Sequence, residues 1–162
     1  MAITKQKKTE ILEDLEGVVG NAVSMVFVHF TALPVTETTA MRKQLREKGV
    51  GYRVAKKTLM KRVLDSKGFI GAQPELTGEI ALAYGKDALA PAREVYVFEK
   101  QYKDRVAIVG GVFENKYMNA GEMVVIASIP SMLVLRGQFV NLINSPIQRI
   151  VTVLDRIAEK RA

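Results

Sequence analysis

The 162-residue chain has no cysteine and one histidine, His29. The first absence removes disulfides, thiol nucleophiles and cysteine-ligated zinc, and the second removes any multi-histidine metal site within one chain. Long hydrophobic runs are missing as well. The longest apolar stretches, Ala22 to Phe30 and Met123 to Ile129, fall far short of the roughly 20 residues that a bilayer-crossing helix needs. The opening Met1-Ala2-Ile3-Thr4-Lys5 leads into a charged segment instead of the apolar core of a signal peptide, so a soluble, unexported, cytoplasmic chain without membrane partners is expected. The glycines between Gly17 and Gly20 and between Gly49 and Gly51 form neither a P-loop nor a dinucleotide fingerprint, and no Ser-His-acid pattern occurs. His29 alternates within an apolar strand pattern and reads as structural. Glu10, Glu13, Asp14 and Glu16 read as the solvated face of a first helix and not as a paired-carboxylate site. Nothing resembling an active site is assembled, so the chain is expected to be no enzyme and to take no cofactor, metal or small-molecule substrate.

What is present suffices for one core and an appendage: 48% of the residues are hydrophobic. Thr4 can cap a first helix whose Ile11, Leu12, Leu15, Val18 and Val19 recur at helical spacing, ended by Gly20-Asn21. Ala22 to Phe30 is apolar on both faces, as in a central strand. A helix is expected over Val35 to Lys48, capped by Thr36 or Thr38 and closed by Gly49. A strand over Val50 to Val54 and a helix from about Lys56 to Ser66, closed by Gly68, follow it. Ile80 to Tyr84 reads as a strand, Ala88 to Tyr102 as a helix, and Val106 to Phe113 as a strand ending in a turn over Glu114-Asn115-Lys116. The expected class is α/β: a sheet flanked by helices in an N-terminal globular domain, followed by an extended C-terminal helical segment. No strand pattern appears beyond about residue 120, and Pro130 and Pro146 are expected to break the remainder into helical pieces. The expected organisation is therefore a domain over 1–120, a helical connector over 121–145 and a terminal amphipathic helix over 146–162.

The 24 Lys and Arg outnumber the 17 Asp and Glu, giving a net charge of +7. The excess is concentrated early: residues 1–70 hold 13 bases and 7 acids. Between 42 and 62 the block sharpens to Arg42, Lys43, Arg46, Lys48, Arg53, Lys56, Lys57, Lys61 and Arg62 against the single acid Glu47. Two ordinary helices showing Lys and Arg to water is the plain alternative, but such faces usually mix signs to gain i,i+4 pairs, whereas this one repels itself. Thr58 and the amides near Lys57 fall at an expected helix N-terminus, where phosphate is favoured and lysine otherwise is not. Few aromatics interleave with the bases, which suits shape-directed contact with folded RNA better than stacking on a single strand.

After Pro146, the residues Ile147, Ile150, Val151, Leu154, Ile157 and Ala158 lie along one helical stripe. Two readings stand: the stripe packs back on the chain, against the apolar residues of Met132 to Ile143, or it docks partner chains.

The segment Leu45-Arg46-Glu47-Lys48-Gly49-Val50-Gly51-Tyr52-Arg53-Val54-Ala55-Lys56-Lys57-Thr58-Leu59 resembles the basic helix, strand and "Arg-Val-x-Lys-Asn-Thr-Leu" motif of the bacterial ribosomal protein L-ten family, the stalk-base proteins of the large subunit. Leu76 to Tyr84, Gly110-Gly111-Val112-Phe113-Glu114, the Ile129-Pro130 break and the closing amphipathic helix match in the same order, so the resemblance covers essentially the whole length. Lys57 departs from it, standing where the family has Asn. The resemblance implies a structural constituent of the cytoplasmic ribosome that binds large-subunit ribosomal RNA beside another stalk-base protein. It also implies that the protein carries acidic stalk-protein dimers, two being the favoured count, which recruit translational GTPases. By position, it makes Lys7, Lys8, Arg42, Lys43, Arg46, Arg53, Lys56, Lys57, Thr58, Lys61 and Arg62 RNA contacts, and Ile147, Ile150, Val151, Leu154, Ile157 and Ala158 stalk contacts. A free-standing RNA-binding regulator, or an assembly factor of the same fold, is the alternative; neither needs the terminal stripe.

Overall fold

Strand β1 (Ser24–Phe30) buries large apolar side chains on both faces, which requires a layer on each side. The computed structural model, which describes residues 5–102 and 105–161, places β1 at the centre of a five-stranded sheet ordered β2-β3-β1-β4-β5. The other strands are β2 (Val50–Val54), β3 (Ile80–Gly85), β4 (Val106–Phe113) and β5 (Lys116–Asn119), and every pairing is antiparallel. Six helices accompany them among the described residues: α1 (Lys5–Asn21), α2 (Val35–Glu47), α3 (Lys57–Lys67), α4 (Ala90–Gln101), α5 (Ala120–Ala127) and α6 (Met132–Arg161). The expected class, helices flanking a sheet with a helical segment after it, is what the chain adopts.

Alternation along β1 sorts the core. Met25 and Phe27 meet Leu15 and Val19 of α1 and Met60, Val63 and Leu64 of α3. Val26 and Val28 meet Met41 and Leu45 of α2, Val95 and Phe98 of α4, and Met123 of α5. Each such side chain, fully buried, contributes about 1.5–3 kcal/mol, so the two faces together hold the sheet between its helical layers. The units β1-α2-β2 and β3-α4-β4 each skip one strand, and the skipped strand comes from the other unit, so the two interlock as a split β-α-β pair. The register between β1 and β4 shifts between Phe27 and Val28, a bulge beside Gly110 and Gly111. A Cβ on Gly111 would run into the Met25 carbonyl, so Gly111 lets β4 lie against β1, while a Cβ on Gly110 would meet the Met118 carbonyl of β5.

The chain divides into two compact units, Met1–Ile129 and Pro130–Ala162. Helix α5 packs against β4 and α4 through Met123 and Ala127, so the first unit runs through Ile129 and not only to about residue 120. The second unit is α6. It differs from expectation: Pro146 does not break it, and one helix runs from Met132 to Arg161. The ring removes only the N–H that would reach Leu142, and an exposed helix leaves that carbonyl to water.

Two smaller expectations also fail. Helix α2 is entered from Pro34, at φ −58°, with no side-chain cap; the Thr38 hydroxyl donates back to the Pro34 carbonyl at 3.0 Å. Proline has already set the entry angle, so the threonines bond the preceding turn instead of capping. Lys116 is not turn but the first residue of β5, because Glu114 and Asn115 alone, at φ 48° and 63°, reverse the chain. The cap expected at Thr4 lies outside the described residues.

Candidate nucleic-acid interface and exposed helix

Strand β2 forms one edge of the sheet, paired only with β3, and its alternation decides where the basic residues go. Val50 is buried, Tyr52 turns toward the α2 side, and Gly51 and Arg53 turn toward the α1 side. Helix α2 buries Met41 and Leu45, which leaves Arg42, Lys43 and Arg46 exposed. Arg42, Arg46 and Arg53 thus come together around the β2 edge, lining a cleft of about 450 Å³ with Gly51, Tyr52 and Tyr84.

Helix α3 begins at Lys57 with no side-chain cap and no acidic residue in its first turn, so its positive end is uncompensated. Lys8 of α1 joins Lys56, Thr58 and Arg62 around a second cleft of about 300 Å³ at this end. Lys57 lines a third, of about 490 Å³, with Lys56, Thr58 and Val54. Lys7, Lys43 and Lys61 are exposed but line none of these clefts. The eleven candidates therefore group at two places, the β2 edge and the start of α3, with three outliers.

Arg53 is not free. Its guanidinium donates to the Asp14 carboxylate of α1 at 2.6 Å, so an incoming phosphate must compete with a carboxylate there. Two aromatic contributions escaped the sequence reading. The Arg42 guanidinium sits 5.6 Å from the centre of the Tyr52 ring, and burial pushes the Tyr52 hydroxyl up to about 12, with Arg42 pulling weakly the other way. The Tyr84 ring lies across Gly51, where a Cβ would collide with it. The signal for the second was the register pairing of Gly51 with Tyr84, which no local pattern contains.

His29 is held by two contacts, to the Glu79 carbonyl at 3.0 Å and the Thr31 hydroxyl at 3.2 Å, and its ring fills the space beside Gly78. No group of three or more His, Asp or Glu among the described residues is placed to hold a metal ion. No single helix among them is long and apolar enough to cross a membrane.

Helix α6 exposes nearly all of its apolar surface. Ile147, Ile150, Val151, Leu154 and Ile157 are each 46–63% exposed; Ala158 lies outside the described side chains. The stripe continues toward the N-terminus through Val140 and Ile143, giving the alternating steps of three and four that define a helix-pairing seam. Because Met132 to Ile143 belongs to the same helix, it cannot fold back as an antiparallel mate for the terminal stripe.

Residues 3–100 match the family described as Ribosomal protein L10. The large ribosomal subunit protein uL10 of Variovorax paradoxus is 32% identical to this chain, over 99% of it and 90% of the relative. That of Staphylococcus carnosus is 31% identical, over 96% and 94%, and that of Caulobacter vibrioides 34%, over 90% and 85%. The Variovorax alignment, at 99% of the chain, takes in the sheet, the basic helices and α6 alike, and the chain belongs to the ribosomal protein L10 family of the large ribosomal subunit.

Proposed function

We propose that this chain, as a constituent of the large ribosomal subunit, binds folded ribosomal RNA through the β2 edge and the start of α3, and anchors acidic stalk-protein dimers on the seam of α6. In this reading the ribosome is its cytoplasmic location, and a second stalk-base protein lies beside it on the RNA. The observation that carries the reading is the separation of two uncovered surfaces of opposite character. One is a basic face with a single internal acid partner among the described residues, and the other is an exposed apolar helix in the second compact unit. Phosphate relieves the self-repulsion of the first. Helices of a partner dimer remove the second from water, and an acidic partner complements the positive chain. The chain acts by holding two partners and by no bond-making chemistry.

The test uses the full chain with Ile150→Glu, which places a charge in the middle of the seam. Light scattering with the acidic stalk protein is expected to show a multimeric complex for the parent and its loss in the variant, with ribosomal RNA binding unchanged in both. A variant that still forms the full complex removes the stalk assignment.

A further inference from the structure

Beyond the wall made by Gly49 and Tyr84, the basic cleft of Arg42, Arg46 and Arg53 has a larger neighbour of about 660 Å³, which shares those two wall residues. Its chemistry differs. Gly17, Val18, Ala22 and the Tyr84 ring give it an apolar lining, its α1 side carries the carboxylates of Glu13 and Asp14, and Asp87, Lys48 and Lys86 complete a rim of mixed charge. The Asp14–Arg53 pair joins the two clefts, since each partner lines a different one.

We propose that this cleft receives one unstacked, amino-bearing nucleobase, adenine, cytosine or guanine but not uracil, from the RNA whose phosphates occupy the basic cleft next to it. The inference rests on the RNA-binding reading above and goes further by assigning a base-recognition site. The volume lies within the range of sites that enclose small organic groups, about 300–1,000 Å³. Three carboxylates against two lysines make this cleft less attractive to phosphate than its neighbour, which three arginines and no acid line, so the backbone is favoured on the arginine side and the base on this one. The same carboxylates accept hydrogen bonds from an exocyclic amino group, which uracil lacks. The Tyr84 ring, held across Gly51, offers an aromatic face to a splayed-out base, the usual way a protein reads sequence in folded RNA. Asp14 is already fixed by Arg53, so one acceptor is positioned before the base arrives.

Gly17 provides the test. It lines the cleft, and a Cβ there meets nothing within 4 Å, so Gly17→Leu starts into open space, takes up part of the cleft and improves helix propensity. Parent, Gly17→Leu, Glu13→Ala and Arg46→Ala chains are titrated with a transcript of the stalk-base segment of large-subunit ribosomal RNA over a salt series. Dimethyl sulfate probing of adenine and cytosine, with kethoxal probing of guanine, then reads which base edges are covered. The parent is expected to protect one such base. Gly17→Leu is expected to lose that protection and about tenfold in affinity, in line with the stacking of one base, at an unchanged salt slope. Arg46→Ala is expected to keep the protection and lower the slope by about one. Gly17→Leu that folds, by circular dichroism, yet binds and protects like the parent overturns the pocket alone. If it does not fold, loss of the protection in Glu13→Ala supports the pocket and its retention overturns it. A parent chain that does not bind the transcript overturns the RNA reading and the pocket with it.

Discussion

Single residues with no side chain, or with one in an unusual setting, fix much of the geometry. Gly111 sits on β4 against the Met25 carbonyl of β1, and any Cβ there meets backbone, which cannot swing aside. Gly111→Ala is expected to destabilise the first unit by about 1–3 kcal/mol, the usual cost of overpacking, seen as a lower urea midpoint at unchanged m-value. Tyr52 yields a prediction about pH. Its hydroxyl is raised from 10.0 to about 12, so the folded chain holds that proton more tightly than the unfolded one. The stability this contributes is complete below pH 10 and is lost as pH rises from 10 toward 12. Tyr52→Phe is expected to remove that part of the alkaline loss, and Arg42→Ala to push the tyrosinate absorbance transition higher, since Arg42 favours the charged form. At this scale the sequence was a fair guide to which residues are basic and exposed, and a poor guide to what they touch. Arg53 looked like a free cation because its partner, Asp14, lies 39 positions away and read as solvated surface.

Elements whose pattern is local were legible, and those decided by partners were not. β2 falls where alternation put it, and α3 closes on Gly68 at φ 64°, because both follow from residues within one turn of the boundary. Strand β5 was missed because its four residues are too short to show a period and exist by pairing with β4. The break at Pro146 was overcalled because proline's cost was weighed alone. In α6 it removes one hydrogen bond from a helix of 30 residues with thirteen or more on either side to propagate through it. Pro146→Ala restores that donor and is expected to raise the far-UV helical signal and stabilise α6 by up to about 3 kcal/mol. An unchanged helical signal would show that the ring is already accommodated without cost.

For the whole molecule, the two faces of the sheet were legible from the doubly apolar β1, but the order of strands was not, because nothing in a strand names its neighbour. Only the topology shows that Arg42, Arg46 and Arg53 gather around an exposed edge while Lys56, Lys57 and Arg62 group at the start of α3, and not along one continuous helix face. If about six of them contact phosphates, the affinity for ribosomal RNA is expected to fall with salt at a log–log slope of roughly −4 to −5, measured by filter binding between low and physiological salt. A slope near zero would remove the electrostatic basis of the proposal.

The interlocked strand order also sets a timetable for synthesis. β1 finds both its neighbours, β3 and β4, only after residue 113 has been made, and β2 has no partner until residue 85. No strand pair can close within the first half of a growing chain, although every residue of the basic block has by then left the decoding site. The nascent protein thus passes through a stage in which its most positive segment is complete but has no sheet to shape it, and it acquires a defined face only once β3 has been made. Released chains ending near residue 75 are expected to be cut by any protease between residues 24 and 67, and released chains ending after α5 to resist, a contrast that pulse proteolysis of the two truncated chains would read directly.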